Sequence, residues 1–185
     1  WGADSIRVGV GSGSICSTRI QTGHGVPTLE VLLRARENAY CLEHKPVLIA
    51  DGGIRNSGDI VKAMAAGANH VMLGSLLAGT DECPGDIVSI GEKKYKTYRG
   101  MASPQAQKDW KGSYSSNEGI SSMIPYKGCV ADILEELNRG IRSGFSYSGA
   151  ENVRELRELA IFRNVSPASS LESSTHILGL KNVIG

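Results

Sequence analysis

Three short apolar runs in the first half of the chain each end abruptly at a glycine with a serine or an aspartate beside it. The runs cover residues 5–10, 46–50 and 70–73. Between them, residues 27–42 and 57–67 place apolar side chains at helical spacing. The continuous apolar run at residues 46–50 is typical of a strand that is buried on both faces of a parallel sheet. The order therefore predicts parallel βαβ units, with the chemistry in loops at the carboxyl ends of the strands.

The small number of predicted strands indicates that this chain is part of a larger fold. Three strands cannot close a barrel, and a sheet this narrow leaves apolar edges that invite aggregation. The chain also opens at Trp1, in the middle of the strand pattern. We therefore expect an α/β fold in which residues 1–185 form the carboxyl-terminal part of a single, longer barrel domain.

The alternation of strands and helices fails beyond about residue 80. Residues 80–125 are polar, rich in Gly, Ser and Lys, and show only hints of short strands. A segment this long is more often a functional lid than an idle linker, and disorder is the alternative. Two helices are expected next, around residues 130–141 and 153–159. The serine-rich tail from residue 166 is either disordered or ordered only by a neighbouring molecule.

Charge and cysteine usage narrow the class of protein. The chain has 20 Lys and Arg against 19 Asp and Glu, so its net charge of +1 disfavours nucleic acid or an anionic membrane as a partner. No apolar run approaches the roughly 20 residues that a membrane span needs. The four cysteines lie far apart without a CxxC pair, and the four histidines lack metal-ligand spacing. We expect reduced thiols in a cytoplasmic protein.

The most informative loop follows the first predicted strand and reads GSGSICSTR from residue 11 to residue 19. A thiol at the tip of a glycine-rich loop is exposed to a bound substrate, and nearby backbone N–H groups favour the reactive thiolate. A buried structural cysteine in an irregular turn is the alternative for Cys16. The loops at residues 51–53 and 74–75 are candidate anion sites, and Asp51 is placed to accept hydrogen bonds from a ribose diol.

Several motifs together resemble one known family. The strings are GSGSICSTR, TGHGVP, ADGGIRNSGDI, VMLGSLLAGTDECPG, YRGMAS and IPYKG, and they run in order over nearly the whole chain. They resemble the catalytic barrel shared by inosine monophosphate (IMP) dehydrogenase and guanosine monophosphate (GMP) reductase. The resemblance implies a (β/α)₈ TIM barrel, of which this chain supplies about the last three strands, a flap at about residues 81–126, and a carboxyl-terminal tail at about residues 166–185.

The same resemblance implies a reaction and a set of binding residues. Cys16 would attack C2 of the purine and form a covalent thioimidate, while a nicotinamide cofactor gives or takes a hydride at that carbon. Asp51 would bind the ribose hydroxyls. Backbone groups of Gly100, Met101 and Ala102 would contact the base edge. The groups expected to hold the 5′-phosphate are Ser14, Gly53, Gly74, Ser75 and Tyr98.

A monovalent cation and an oligomer also follow from the resemblance. The backbone carbonyls of Gly11, Gly13 and Cys16 match the family's K⁺ site. A neighbouring subunit would complete that site with its carboxyl-terminal residues, for which Glu172, Ser173 and Ser174 are the matching positions. We therefore expect a homo-oligomer, specifically a tetramer, that binds GMP and IMP.

The choice between the two activities depends on the flap. The stretch SPQAQKDWKGSYSSNEGISSMI contains no arginine, whereas the dehydrogenase activates water with an Arg-Tyr pair there. Lysine, present at positions 108 and 111, is a poor base unless strongly desolvated. Thr18 and Glu118 match the acid-base pair that ammonia release needs. The favoured function is therefore a GMP reductase that uses NADPH and releases IMP and ammonia.

Two other functions remain open on the sequence. The stretches IRNSGDI, GSLLAGTDECPGD and RSGFSYSGA look more like an IMP dehydrogenase, which converts IMP to XMP with NAD. As a piece of a larger barrel, the chain could also be an inactive nucleotide-binding fragment. Without the resemblance, a solvated turn carboxylate is the favoured interpretation of Glu118, and Thr18 could simply bond to local backbone.

Overall fold

The computed structural model describes residues 2–113, Ser115 and residues 118–174. Its first sheet contains three parallel strands, β1 (Ser5–Val8), β2 (Val47–Asp51) and β3 (His70–Met72), with β2 in the centre. The register pairs Val8 with Ala50 and Asp51 with Met72, so the three carboxyl ends lie at one edge. The predicted parallel arrangement is confirmed.

Two helices connect these strands and pack on the sheet. They are α2 (Thr28–Tyr40) and α3 (Ser57–Ala65), and a short helix, α1 (Thr18–Thr22), precedes them in the first loop. The sequence did not predict α1, which has no buried residue. The side chain of Asn56 caps α3 by accepting from the Asp59 amide at 2.9 Å. The cap fixes where the loop after β2 ends.

The core lies between the parallel sheet and these helices. It is built from small and aliphatic side chains: Val8, Leu32, Leu48, Ala50, Ile54, Ile60, Ala63, Ala66, Ala68 and Leu137. Burial alternates along β2, whereas most residues of β1 and β3 are exposed. The expectation of strands buried on both faces is therefore wrong for this chain, because only alternate residues of β2 are fully buried and most residues of β1 and β3 are exposed.

The segment that was expected to be a lid or disordered contains a second, antiparallel sheet. Its strands are β4 (Ile87–Ile90), β5 (Lys93–Arg99) and β6 (Ser121–Pro125), in that spatial order. Helix α4 (Pro104–Lys111) connects β5 to β6. The disorder alternative is therefore wrong for the described part of this segment. Three residues of the predicted flap, at positions 114, 116 and 117, lie outside the described residues.

Within the described residues, three helices follow the antiparallel sheet. Helices α5 (Val130–Ser148) and α6 (Val153–Leu159) occur where the apolar spacing predicted helices. Helix α5 packs against α3, and α6 contacts both. Part of the serine-rich tail forms a short helix, α7 (Pro167–Glu172), capped by Ser166, so this part is not disordered. Residues 175–185 of the predicted tail lie outside the described residues. No helix within the described ranges is long and apolar enough to cross a membrane.

Candidate active site

The loops that follow β1 and β2 pack directly on one another. Gly52 has a φ of +83°, and a Cβ at this position would lie 2.5 Å from Ser12 Oγ and 2.9 Å from the Gly13 nitrogen. The Ser12 hydroxyl donates to the carbonyl of Asp51 at 2.9 Å. Glycine is required at position 52, because a side chain would push the two loops apart. The contact brings the predicted cysteine loop beside the predicted anion loop.

The cysteine loop is a tight turn held by backbone contacts and by one arginine. The Cys16 amide donates to the Gly13 carbonyl at 3.1 Å, which leaves Ser14 exposed within the turn. Arg19 Nε donates to the Val10 carbonyl at 3.0 Å, and its Nη2 donates to the Val26 carbonyl at 2.7 Å. The guanidinium thereby fastens both ends of the loop. Cys16 itself is partly buried and is a free thiol.

A chain of two hydrogen bonds leads away from the thiol. Cys16 Sγ donates to Thr18 Oγ1 at 3.2 Å, and Thr18 Oγ1 donates to Glu118 Oε2 at 2.7 Å. A hydroxyl can donate and accept at once, so it can pass a proton between the sulfur and the carboxylate. The structure therefore brings together the three residues that were predicted to be catalytic.

The backbone holds Glu118 in this position. Its carbonyl accepts from the Ser17 amide at 2.9 Å, and the Ile120 amide donates to the Ile15 carbonyl at 3.0 Å. Cys16 and Gly119 form an antiparallel bridge between these bonds. Because the segment before β6 is paired to the cysteine loop and Glu118 is partly buried, the alternative of a freely solvated turn carboxylate does not describe it.

The predicted base-reading segment lies against the same loop. The Gly100 amide donates to the Ile120 carbonyl at 3.0 Å, and a Cβ on Gly100 would lie 3.6 Å from the Ile15 carbonyl oxygen. Met101 and Ala102 are exposed. Gln107, on α4, donates to the Ala102 carbonyl at 2.7 Å. The sequence analysis missed Gln107, whose burial nothing in the polar sequence of α4 signals.

Asp51, predicted to bind ribose, is oriented by an arginine that the sequence analysis also missed. Arg7 Nε and Nη2 donate to Asp51 Oδ2 at 3.1 and 2.6 Å. Both bonds go to one oxygen, so Oδ1 remains to accept from a ligand. The available signal was a charged residue between two apolar residues of a short strand, SIRV.

Two of the five predicted phosphate contacts touch each other. A Cβ on Gly74 would lie 2.8 Å from the hydroxyl oxygen of Tyr98, which places that hydroxyl directly over Gly74. The carbonyl of Gly74 accepts from the Leu77 and Ala78 amides at 3.1 and 3.0 Å, so a turn begins at this residue. Ser75 lies within the turn. The other two predicted contacts, Ser14 and Gly53, lie in the loops that follow β1 and β2.

The predicted cation ligands lie in two separate parts of the chain. The carbonyl of Gly13 accepts one bond, from the Cys16 amide, and its second lone pair can face a cation. Glu172 ends α7, and the hydroxyls of Ser173 and Ser174 donate to carbonyls of their own chain at 2.8 and 2.6 Å. Across the described ranges, no group of three or more His, Cys, Asp or Glu side chains could hold a metal.

Comparisons with known proteins agree with the family that the motifs resemble. The family model of the IMP dehydrogenase / GMP reductase domain matches residues 1–176. An inosine-5′-monophosphate dehydrogenase from Aquifex aeolicus is 48% identical over 95% of this chain, which corresponds to 37% of that protein. The enzyme of the same name from Methanocaldococcus jannaschii is 43% identical over 98% of this chain and 40% of its own length.

A solved structure gives the same result at the level of the fold. The crystal structure of a GMP reductase variant from Trypanosoma brucei, in complex with guanosine 5′-monophosphate, superposes with a TM-score of 0.88 at 42% identity. The match covers 95% of this chain and 37% of that one. The chain therefore spans about two fifths of the length of the relatives it matches.

Proposed function

The chain belongs to the IMP dehydrogenase / GMP reductase family, and from this premise we propose that it is the carboxyl-terminal part of a (β/α)₈ barrel with GMP reductase activity. The barrel would convert GMP, NADPH and one proton to IMP, ammonia and NADP⁺. The observation that carries the proposal is the hydrogen-bonded chain from Cys16 through Thr18 to Glu118. It joins a nucleophile to an acid-base group through one hydroxyl.

The first step uses this chain in the direction of the carboxylate. The thiol proton of Cys16 moves to Thr18 as the hydroxyl proton of Thr18 moves to Glu118, and the sulfur bonds to C2 of the guanine ring. The Sγ–Oγ1 separation of 3.2 Å and the Oγ1–Oε2 separation of 2.7 Å suit this transfer without any displacement of the loop. The nucleophile is thereby made active by a base that it does not touch.

The second step uses the same chain in reverse. Glu118 returns its proton through Thr18 to the 2-amino group, which leaves as ammonia while the carbon–nitrogen double bond at C2 re-forms in the thioimidate. The nicotinamide cofactor, when bound, supplies a hydride to C2. The C2–sulfur bond then breaks with its electron pair on Cys16, and IMP is released. Atoms and charges balance when the thiolate takes one proton from water.

The residues around the thiol are suited to hold the nucleotide part of the substrate. Asp51 has an oxygen available for the ribose hydroxyls, because Arg7 occupies only Oδ2. Tyr98 and Gly74 meet at one point, where a 5′-phosphate would receive a hydroxyl and a backbone N–H. The segment from Gly100 to Ala102 would contact the base, with Gln107 fixing the Ala102 carbonyl.

The reductase is preferred because the part of the flap between Met101 and Pro125 contains no arginine. The water-activating pair expected of the dehydrogenase is therefore absent there. Ammonia departure and hydride transfer need only the acid-base pair that Thr18 and Glu118 provide. One observation favours the dehydrogenase as second candidate: the curated relatives at 43–48% identity carry that name. In that case IMP and NAD would give XMP and NADH.

The remaining features of the proposal concern the assembly. Residues 81–126 would act as the flap over the site. The carbonyls of Gly11, Gly13 and Cys16 would contribute to a K⁺ site, because carbonyl oxygens suit such cations, and Glu172, Ser173 and Ser174 of a neighbouring subunit would complete it. The bound cation would hold the cysteine loop in place. A cytoplasmic homotetramer is the proposed form.

One pair of assays tests the proposed activity on the complete protein that carries this chain. NADPH oxidation with GMP, accompanied by an equal amount of ammonia, is the expected result. Formation of reduced cofactor from IMP with no reaction of GMP would favour the dehydrogenase instead. Nucleotide binding without either reaction would leave only a binding function. Cys16→Ser should abolish turnover, whereas Cys41→Ser, at an exposed cysteine outside the site, is the matched control.

A further inference from the structure

A network of polar contacts joins the segment after β3 to the segment after β6. The Lys127 amide donates to the Gly79 carbonyl at 2.9 Å, and the Asp81 amide donates to the Gly128 carbonyl at 2.9 Å. A Cβ on Gly79 would lie only 2.6 Å from the carbonyl oxygen of Pro125, so the two backbones are in direct contact. We call this contact the seam. It fixes where the antiparallel sheet meets the loops of the parallel sheet.

From the seam, one side chain reaches back to the predicted phosphate turn. Lys127 Nζ donates to the Ser75 carbonyl at 2.5 Å and to the Leu76 carbonyl at 3.1 Å. Peptide groups are planar, and their carbonyl and N–H point in opposite directions. Fixing the Ser75 carbonyl therefore also fixes the direction of the next N–H, on the side of the turn away from Lys127.

The charge of Lys127 matters because the predicted phosphate contacts supply none. All five are neutral groups: Ser14, Gly53, Gly74, Ser75 and Tyr98. A phosphate dianion that is bound only by N–H and O–H groups gains from any nearby cation, most of all where the cation is shielded from water. Lys127 is exposed as a whole, and the partial burial of its ammonium lowers its pKa without removing it from solvent.

We propose that Lys127 is a positioning residue for the 5′-phosphate of the nucleotide. Its ammonium fixes the turn that begins at Gly74 and links that turn to the antiparallel sheet, whose strand β5 carries Tyr98. Two parts of the phosphate site, the turn and the tyrosine, would therefore be set by one tether. The inference deepens the proposed function and rests on it.

The test compares a nucleotide with its nucleoside in the complete protein. Dissociation constants of IMP and inosine are measured for the wild type, Lys127→Met and Lys127→Arg. IMP is a ligand of both candidate enzymes, so the test does not depend on which reaction occurs. Because Lys127→Met removes both the tether of the turn and a positive charge near it, we expect IMP binding to weaken about tenfold, equivalent to about 1.4 kcal/mol. Inosine binding should change less than about twofold, and Lys127→Arg should restore most of the IMP affinity.

Kinetics and a control variant complete the test. For Lys127→Met, the KM of the nucleotide should rise about tenfold while kcat falls far less, since the thiol is untouched. Lys93→Met, at an exposed lysine of β5, is the matched control and should bind IMP normally. Unchanged IMP affinity in Lys127→Met, or equal losses for IMP and inosine, would overturn the inference alone. A wild-type protein that binds no IMP would overturn the proposed function, and the inference with it.

Discussion

The two sheets of this chain are stabilised in different ways. The parallel sheet packs small aliphatic side chains against α2 and α3, and Leu32 there is only 1% exposed. The antiparallel sheet has mostly exposed strands, and its most buried side chain in β5 is a charged one, Lys96, at 3% exposure. Lys96 Nζ donates to the Thr80 carbonyl at 2.9 Å and to the Cys83 carbonyl at 2.5 Å. Apolar packing holds the first sheet, and polar tethers attach the second sheet to it.

The candidate catalytic chain crosses between these two regions. Cys16 and Thr18 belong to the loop after β1, whereas Glu118 comes from the segment before β6, 100 residues further along from Thr18. The half with the apolar core carries the nucleophile, and the half attached by polar contacts carries the acid-base group. Disturbing each half separately should therefore give different kinds of defect.

The largest expected effect comes from removing the acid-base group at the end of the hydrogen-bonded chain from Cys16 through Thr18 to Glu118. Glu118→Gln keeps the shape of the side chain but removes the group that takes and returns the proton. We expect the rate of GMP reduction to fall by about 10²–10⁴-fold, the usual range for loss of a general acid-base group, with little change in nucleotide binding. Steady-state kinetics and titration of GMP measure both. Glu92→Gln, in the exposed turn between β4 and β5, is the control, and a near-normal rate in Glu118→Gln would reject the role.

The next largest effect is a difference in the free energy of unfolding between one variant in each of the two regions. Leu32→Ala leaves a cavity in the parallel half and should cost about 2–5 kcal/mol in the free energy of unfolding. Ile90→Ala, in β4, removes a side chain of a residue that is 57% exposed and should change it by less than about 0.5 kcal/mol. Chemical denaturation of the complete protein measures the difference. Equal costs would show that the two sheets are stabilised alike.

A smaller effect is expected at the ribose site. Asp51→Ala removes a charged hydrogen-bond acceptor and should weaken nucleotide binding by about 1–3 kcal/mol. Calorimetric titration with IMP gives the dissociation constant directly. The control is Asp86→Ala, at an exposed aspartate just before β4. An unchanged dissociation constant in Asp51→Ala would remove Asp51 from the binding site.

The smallest effect is a pH dependence at the amino-terminal end of α5. Hydrogen bonds from the Glu82 backbone amide and from the Val130 amide hold the pKa of Glu82 below its usual value. A lowered pKa in the folded state stabilises the protein above the unfolded value, and this contribution is lost as the pH falls through the folded one. Glu82→Gln should therefore flatten the loss of stability below about pH 4.5, as followed by thermal melting. Identical pH profiles would contradict this.

The sequence predicted the apolar half of the molecule well and the polar half poorly. Strands β1 to β3 and the longer helices follow from apolar periodicity, which is the signal that burial leaves in a sequence. Strand β5 reads KKYKTYR, and its buried position is a lysine, so periodicity could not reveal it. The hydrogen bonds of Arg7 and Gln107 could not be predicted from the sequence either. A polar residue gives the same sequence pattern whether its side chain contacts solvent or another polar group of the protein.

The candidate site divides along the same line. The local sequence alone identifies Cys16 and its glycine-rich loop as a candidate site. Thr18 follows Cys16 by two residues, and in the structure its hydroxyl accepts a hydrogen bond from the thiol. Glu118 has no local signal. It entered the prediction only through the family resemblance, because a contact across 100 residues depends on tertiary structure.

The most direct test of the account is mass spectrometry of the complete protein after incubation with GMP and no hydride donor. The chemistry proposed for Cys16 predicts one nucleotide, lacking its 2-amino nitrogen, attached to the peptide that contains this residue, together with one equivalent of ammonia. Cys16→Ser should show neither. An adduct on a different residue, or full turnover of GMP by the Cys16→Ser protein, would contradict the central claim.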